Sequence, residues 1–529
     1  MLHTWPLAGD LAHLSRFDND DASLNTWAIA WVAHILPHAP WRLFEAPIFY
    51  PDAHALAYSE HLFVPSLMGA PLLWLGASPL AVNNVLIILG LALSGWAMCL
   101  LMQRWTGSLA AGVIAGLLYA FNAQVLTRLP HVQAQHVEFF PLVLYALDRV
   151  LAHGRRRDGV LLTVAFVLQA LCSNYLLVFI AIAMVVATAV RPADWWGAGR
   201  RHVRISLALA AAAAAVALAP FLWPYYLVSR DQGLTRTIEE VALYSAGWRD
   251  YLVTGGRLHY AWWSHGFYDG RTALFPGITA LVLAGIAVGA GTAIRDVRAR
   301  MALAIGVLGV ALSFGPGLPG YAWLHQHMPL LGGIRNASRW GWLGLGSVAM
   351  LAGFGVAHLE RAWFRSAPAG LAPARARSWR ALCLVLGLVA TAEAIRTPVG
   401  YTPFTRIAPI YDRLAAEPGV VLAEFPFYWG NDFNLNGQYL LNNTRSFTPL
   451  VNGYSGFQSA QYQQRGNTLG SFPSVEALSL LKVMGVTHVT VHVSPFERRY
   501  GRNALTAVAQ APELTLVAED DGIRLYRVR

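Results

Sequence analysis

Apolar residues run along most of this chain in blocks of bilayer length. A helix rises 1.5 Å per residue, so about 20 mainly apolar residues cross a hydrocarbon core. Blocks of this kind fall at 80–102, 108–127, 204–228, 273–293, 300–316, 339–359 and 380–397. The stretch 159–191 is long enough for two helices hinged at Ser173-Asn174, while 61–77 and 137–152 are shorter. Together they predict about ten crossings. The Ala-rich run 207–219 has the composition of a helix-packing face, and no internal repeat occurs at a fixed period.

The pattern changes after residue 397. Residues 419–427 read as a strand behind a Pro-Gly turn. Residues 476–493 read as a helix, a glycine turn and a strand, and 513–528 as a hairpin closed by Asp521-Gly522, the residue pair favoured in type I′ turns. The expected fold class is therefore mainly α: a polytopic transmembrane helical bundle with a small C-terminal α/β domain. Three regions follow: 1–60, a first outer loop with interfacial helices; 61–397, the transmembrane helical domain; and 398–529, a soluble extracytoplasmic α/β domain.

Composition excludes a water-soluble reading of the middle region. The 529 residues are 56% hydrophobic and 13% charged, with mean hydropathy +0.43, whereas soluble domains carry about 25% charged residues. The net charge of +10 does not imply nucleic acid, because the basic residues form no stripe interleaved with stacking aromatics. They gather between the apolar blocks, at Arg104, Arg155-Arg156-Arg157, 191–204, 295–300 and 360–380. The positive-inside rule places these connections in the cytoplasm. The connections 128–136, 229–272 and 317–338 and everything beyond 397 then face outward, in a multi-pass membrane protein. Alternation fails once, near the start: either 24–38 crosses, or 61–77 enters and returns, or a helix precedes residue 1. The first residues lack the apolar core of a signal peptide. Cys99, Cys172 and Cys383 lie within apolar blocks, as small buried hydrophobes do.

The candidate chemistry is concentrated in the outward segments. Asp18, Asp20 and Asp21 precede an aromatic stretch; they cap a helix in a solvated loop, or one acts as a general base at the membrane surface. Residues 41–61 are dense in aromatics and prolines and end in Glu60 and His61, a composition that suits headgroup anchoring. Arg128, His131, Gln133, His136 and Glu138 make an unusually polar connection. The five-residue spacing of its histidines is poor for a metal on one helix face, and Arg with His suits an anionic phosphate better. No metal ligand set and no cofactor is assigned. Arg335 and Arg339 violate the positive-inside pattern, and the long outer loop adds Arg236, Glu239, Glu240, Tyr244, Trp262 and Trp263. The string Gly315-Pro316-Gly317-Leu318-Pro319-Gly320 matches GxGxxG, yet it ends an apolar helix and carries two prolines. It reads as a turn. P-loop, HExxH and GxSxG patterns are absent.

The acidic loop reads D-x-x-L-N-x-W-x-x-x-W (Asp21, Leu24, Asn25, Trp27, Trp31), followed by IFYP at 48–51 and a Tyr-Ser-Glu-His run before an apolar helix. With the polytopic core and outer C-terminal domain, the chain resembles bacterial membrane glycosyltransferases of the GT-C architecture, of the RgtA/B/C/D-like or dolichyl-phosphate-mannose mannosyltransferase type. The resemblance implies transfer of a sugar from a polyprenyl-phosphate donor to an extracytoplasmic glycan, lipid or protein acceptor, usually with inversion. It maps the family's acidic residue onto Asp21, or onto Asp18 or Asp20. It carries no basic motif for the donor phosphate, so Arg128, His131, His136, Arg335, Arg339, Arg236, Glu240, Glu60 and His61 are assigned to substrate binding from topology. PLVNGYSGF (449–457) resembles a stretch of the family's outer domain, without a role. The family normally begins with a transmembrane helix ahead of the acidic loop. None precedes Asp18, so the expectation is a start upstream of Met1, or a truncated or degenerate copy.

The competing class is a transport-type or non-catalytic protein of envelope-glycan assembly. A transporter buries ionisable residues at mid-membrane, and the apolar blocks are nearly free of them. Glu393 is an exception.

Overall fold

The computed structural model describes residues 1–365 and 372–529. Part of the expected basic connection 360–380, residues 366–371, lies outside the described residues. The chain is mainly helical and divides into two compact units, each assembled from separated segments.

The first unit comprises Met1–Gly9, Val85–Ala219 and Thr235–Val399. Its centre is the helix Gly341–Arg365, whose residues from Gly341 to Ala357 are nearly all buried. The helices Leu109–Ala120, Ile278–Gly289 and Val297–Ser313 pack around it. Small residues permit that approach, since apolar helices in lipid associate through close van der Waals contact. A Cβ at Gly355 would lie 2.0 Å from the Leu283 carbonyl oxygen, and, where Leu109–Ala120 meets the helix Pro79–Thr106, one at Gly116 would lie 2.5 Å from that of Gly95. The hinge within 159–191 forms as expected. One helix covers Arg156–Ala170, the next Asn174–Ala189, and Ser173 occupies the N-cap.

Among the described residues four helices, Pro79–Thr106, Leu109–Thr127, Ala198–Gln232 and Ala337–Arg365, are long and apolar enough to cross a membrane. Any larger count rests on shorter helices such as Asn174–Ala189 and Ile278–Gly289. The Ala-rich run 207–219 is not an internal packing face: most of it is exposed. An apolar helix with lipid as its solvent needs no protein partner there.

Three of the basic connections meet at one end of this unit. Asp148 accepts from Arg191 at 2.5 Å and from Arg298 at 2.9 Å, while Arg298 also donates to the Trp105 carbonyl at 3.4 Å. The ends of Pro79–Thr106 and Phe139–His153, the chain leaving Asn174–Ala189 and the start of Val297–Ser313 are thereby tied together. A buried carboxylate with two guanidiniums keeps its charge satisfied away from bulk water.

The second unit comprises Asp10–Asn84, Pro220–Leu234 and Gly400–Arg529. Strand β1 (Leu14–Ser15) pairs antiparallel with β2 (Thr402–Pro403). Strands β3 (Leu422–Phe425), β4 (His488–His492), β5 (Leu514–Asp520) and β6 (Ile523–Val528) form a sheet in the order β3-β4-β6-β5, with β3 parallel to β4 and the other pairs antiparallel. The hairpin turns at Asp521 (φ 48°) and Gly522 (φ 72°), the two positive φ values that a type I′ turn requires.

The helix Asp20–Ile35 belongs to this unit and is buried along almost all of its length. It packs on the short helix Phe63–Trp74 and on Gly437–Asn443. Trp27 Nε1 donates to Asn443 at 3.1 Å, and Trp74 Nε1 to the Ala33 carbonyl at 3.0 Å. The helix Asp20–Ile35, at 16 residues, is shorter than the four helices long enough to cross a membrane and is enclosed by protein on two sides. Phe63–Trp74, at 12 residues, spans about 18 Å. That length suits a segment that enters and returns.

Candidate functional site

In the first unit, four turns deliver side chains to one cleft. Arg128 follows the helix Ala123–Thr127, whose first turn is capped by Asn122. His131 and Gln133 lie on the next turn, Tyr175 opens the helix Asn174–Ala189, and Arg339 lies in the turn Ala337–Trp340. Arg128, His131, Gln133, Tyr175 and Arg339 all line the cleft. The Arg339 guanidinium stacks 4.2 Å above the Tyr175 ring, and among the described residues its buried Nε has no hydrogen-bond partner. The Tyr175 hydroxyl accepts from the Asn336 amide at 3.2 Å, which ties the Arg335–Arg339 turn to the hinge.

Beside that turn, Glu240 is shared by two guanidiniums, Arg236 at 3.3 Å and Arg335 at 3.8 Å. Arg335 also stands 5.1 Å from the centre of the Tyr244 ring. Burial first, and then the neighbouring Arg335, work against the charge on Arg236. Two guanidiniums gathered on one carboxylate at a partly exposed surface make this a cationic patch. An anion with several oxygens would suit it.

His136 does not join this cleft. It is fully buried, its Nδ1 lies 3.0 Å from Glu138, and its carbonyl accepts from Gln169 at 2.8 Å. It is a buried pairing between neighbouring turns rather than a ligand to substrate phosphate.

The acidic loop is sorted by the second unit. Asp18 is exposed and ion-paired with Arg16 at 2.9 Å. Asn19 caps the helix Asp20–Ile35, accepting from the Asp21 amide at 3.0 Å. Asp20 accepts from Asn434 Nδ2 at 2.7 Å; burial raises its pKa, with Asn434 opposing and the Asp21 charge adding. Asp21 accepts from the Tyr454 hydroxyl at 2.7 Å. The three carboxylates are thus in three different settings, and Asp21 is the one oriented by a phenol.

Tyr454 belongs to PLVNGYSGF, and the structure places that stretch against IFYP. The Phe49 amide donates to the Asn452 carbonyl at 3.1 Å and the Tyr50 amide to that of Leu450 at 2.9 Å. Phe49 is held at φ 60°, a left-handed conformation costly for a bulky residue. Its ring fills the space over Gly453, where an added Cβ would sit 2.6 Å from it. The residue after Gly453 is the tyrosine that meets Asp21.

Asp52, which sequence reasoning passes over, anchors the same region. It is paired with Arg465 at 2.7 Å, with side-chain exposures of 10% and 13%. It also accepts from Tyr58 at 3.0 Å and Ser459 at 3.2 Å, and Tyr58 in turn bonds to Gln232. The available signal was an acid directly following IFYP.

Glu60 is half-buried. His61 is buried among Phe44, Phe221 and Tyr225, its Nδ1 accepting from the Phe63 amide at 3.1 Å. That enclosure by aromatic rings sets His61 away from any exposed surface, contrary to its assignment to substrate binding from topology.

Fold and sites together define the class: a multi-pass, mainly helical membrane protein with a small C-terminal sheet, an oriented carboxylate and a cationic cleft. Over 99% of this chain and 95% of theirs, it is similar to two crystal structures of ArnT from Cupriavidus metallidurans. One is the apo state, with 16% identity and TM-score 0.46; the other is bound to undecaprenyl phosphate, with 15% identity and TM-score 0.47. No family model matches the chain, and no curated protein matches it.

Proposed function

We propose that this chain is a membrane glycosyltransferase that moves a sugar from a polyprenyl-phosphate-linked donor to a hydroxyl acceptor on the outer side of the membrane. The observation that carries the reading is the convergence of Arg128, His131 and Arg339 on one cleft, beside the Arg236–Glu240–Arg335 group. In such a transfer the acceptor oxygen bonds to the anomeric carbon as the bond from that carbon to the phosphate oxygen breaks. The departing polyprenyl phosphate gains negative charge, which fixed cations stabilise. The acceptor proton passes to a general base, the role that the family resemblance gives to Asp21. An inverting outcome follows from a single displacement. The acceptor class is a glycan, lipid or protein hydroxyl.

The test is radiolabelled sugar transfer in proteoliposomes supplied with polyprenyl-phospho-sugar. The native chain should transfer label, and Arg339→Gln should lower kcat/KM by about 10- to 100-fold, the effect of losing one charge-assisted contact to phosphate. Native protein that binds the donor without transferring label would favour a non-catalytic assembly role and overturn the proposal.

A further inference from the structure

A second site, unrelated to sugar transfer, is built into the first unit. A cavity of about 610 Å³ lies along the helices Leu109–Ala120 and Ala372–Ala394 and reaches the end of Gly341–Arg365. Its walls are Val113, Leu117, Leu384 and Leu388, with Gly387 leaving room between them. Polarity is segregated. Thr391 is satisfied by its own helix, donating to the Gly387 carbonyl at 2.7 Å. The other polar lining groups, Glu360, Trp379 and Arg380, gather at the opposite end.

That polar end is strongly basic. Arg377 lies three positions before Arg380, on a neighbouring part of the same helix face, and Arg361 and Arg365 directly follow the lining residues Glu360 and Phe364. All four arginines are exposed. Arg375 is engaged in joining the two helices: it donates to the Trp363 carbonyl at 2.6 Å and receives the Trp363 indole at its own carbonyl. Trp379 is 5% exposed, and among the described residues its indole N–H has no partner. A buried donor without an acceptor is costly and marks where an oxygen of an occupant would sit.

We infer that this groove binds an anionic phospholipid of the bilayer. The acyl chains lie between Val113, Leu117, Leu384 and Leu388, the Trp379 indole donates to an ester or phosphate oxygen, and Arg377 and Arg380 meet the phosphate. An apolar slot alone would accept any chain. The cluster of arginines at one end selects a negatively charged headgroup, as basic pockets beside transmembrane helices do. Glu360 faces the same end and disfavours a second negative charge close to itself, so a headgroup of single charge fits better than a free phosphate dianion.

The experiment is native mass spectrometry of the full chain in detergent with phosphatidylglycerol or phosphatidylcholine added. Phosphatidylglycerol should be retained in preference, and Arg377→Gln/Arg380→Gln should weaken that preference roughly tenfold. Gly387→Trp, whose Cβ would meet Leu117 and Ile114 at only 3.6 and 3.7 Å, should fill the slot and abolish retention of both lipids while the protein stays folded. Equal retention of the two lipids by native protein would overturn the inference. So would an unchanged preference in the double variant, displacement of the lipid by inorganic phosphate alone, or a dimer that Gly387→Trp dissolves without any lipid bound. Sugar transfer is read separately, and its absence leaves these outcomes untouched.

Discussion

Asp21→Asn should reduce sugar transfer by roughly a hundred- to ten-thousand-fold, the usual contribution of a positioned general base. The substitution is nearly isosteric, and its side-chain oxygen still accepts from the Tyr454 hydroxyl that meets Asp21 at 2.7 Å. The helix Asp20–Ile35 keeps its Asn19 cap. Folding and donor binding are therefore expected to persist while kcat falls, and the measurement is kcat and KM in proteoliposomes with labelled polyprenyl-phospho-sugar. Asp18→Asn is the control, because Asp18 is an exposed partner of Arg16 and its loss should change turnover little. Equal turnover of Asp21→Asn and native protein would remove Asp21 from the chemistry.

Arg465→Met should destabilise the chain by about 3–5 kcal/mol, the cost of leaving a buried charge without its partner. Asp52 would retain Tyr58 and Ser459 as donors, but hydroxyl dipoles do not balance a carboxylate that is 10% exposed. Removing the charge as well, in Asp52→Asn/Arg465→Met, should recover much of the loss. The double-mutant cycle isolates the coupling between the two groups. Chemical denaturation in mild detergent reads both. A small effect for the single variant would mean that water reaches Asp52 and that the pair is a surface contact.

Several features were legible from local pattern. The Ser173-Asn174 hinge, the Asp521-Gly522 turn and the long apolar helices each depend on a few adjacent residues or on one period, and each forms where expected. The cationic cleft was partly legible, because arginines in connections read as outward stand out against the positive-inside bias, and Arg128, His131 and Arg339 do line one surface. His136 and His61 were misjudged from the same data, since residue type and position along a loop carry no record of desolvation. One is locked to Glu138 and the other is enclosed by aromatic rings.

What the amino-acid order determined by itself is the local geometry of each segment: long helices for the apolar blocks, strands at the C-terminal end, turns where glycine and proline dictate them. What only the tertiary structure decided is which charges are paired, buried or exposed. Tyr454 reaches Asp21 across 433 positions of sequence, and Arg465 reaches Asp52 from an equally remote segment. Such contacts follow from how strained and close-packed segments such as Phe49 and Gly453 dock together. The energy of each pair depends on the local dielectric, a property of the packed molecule rather than of any stretch of chain.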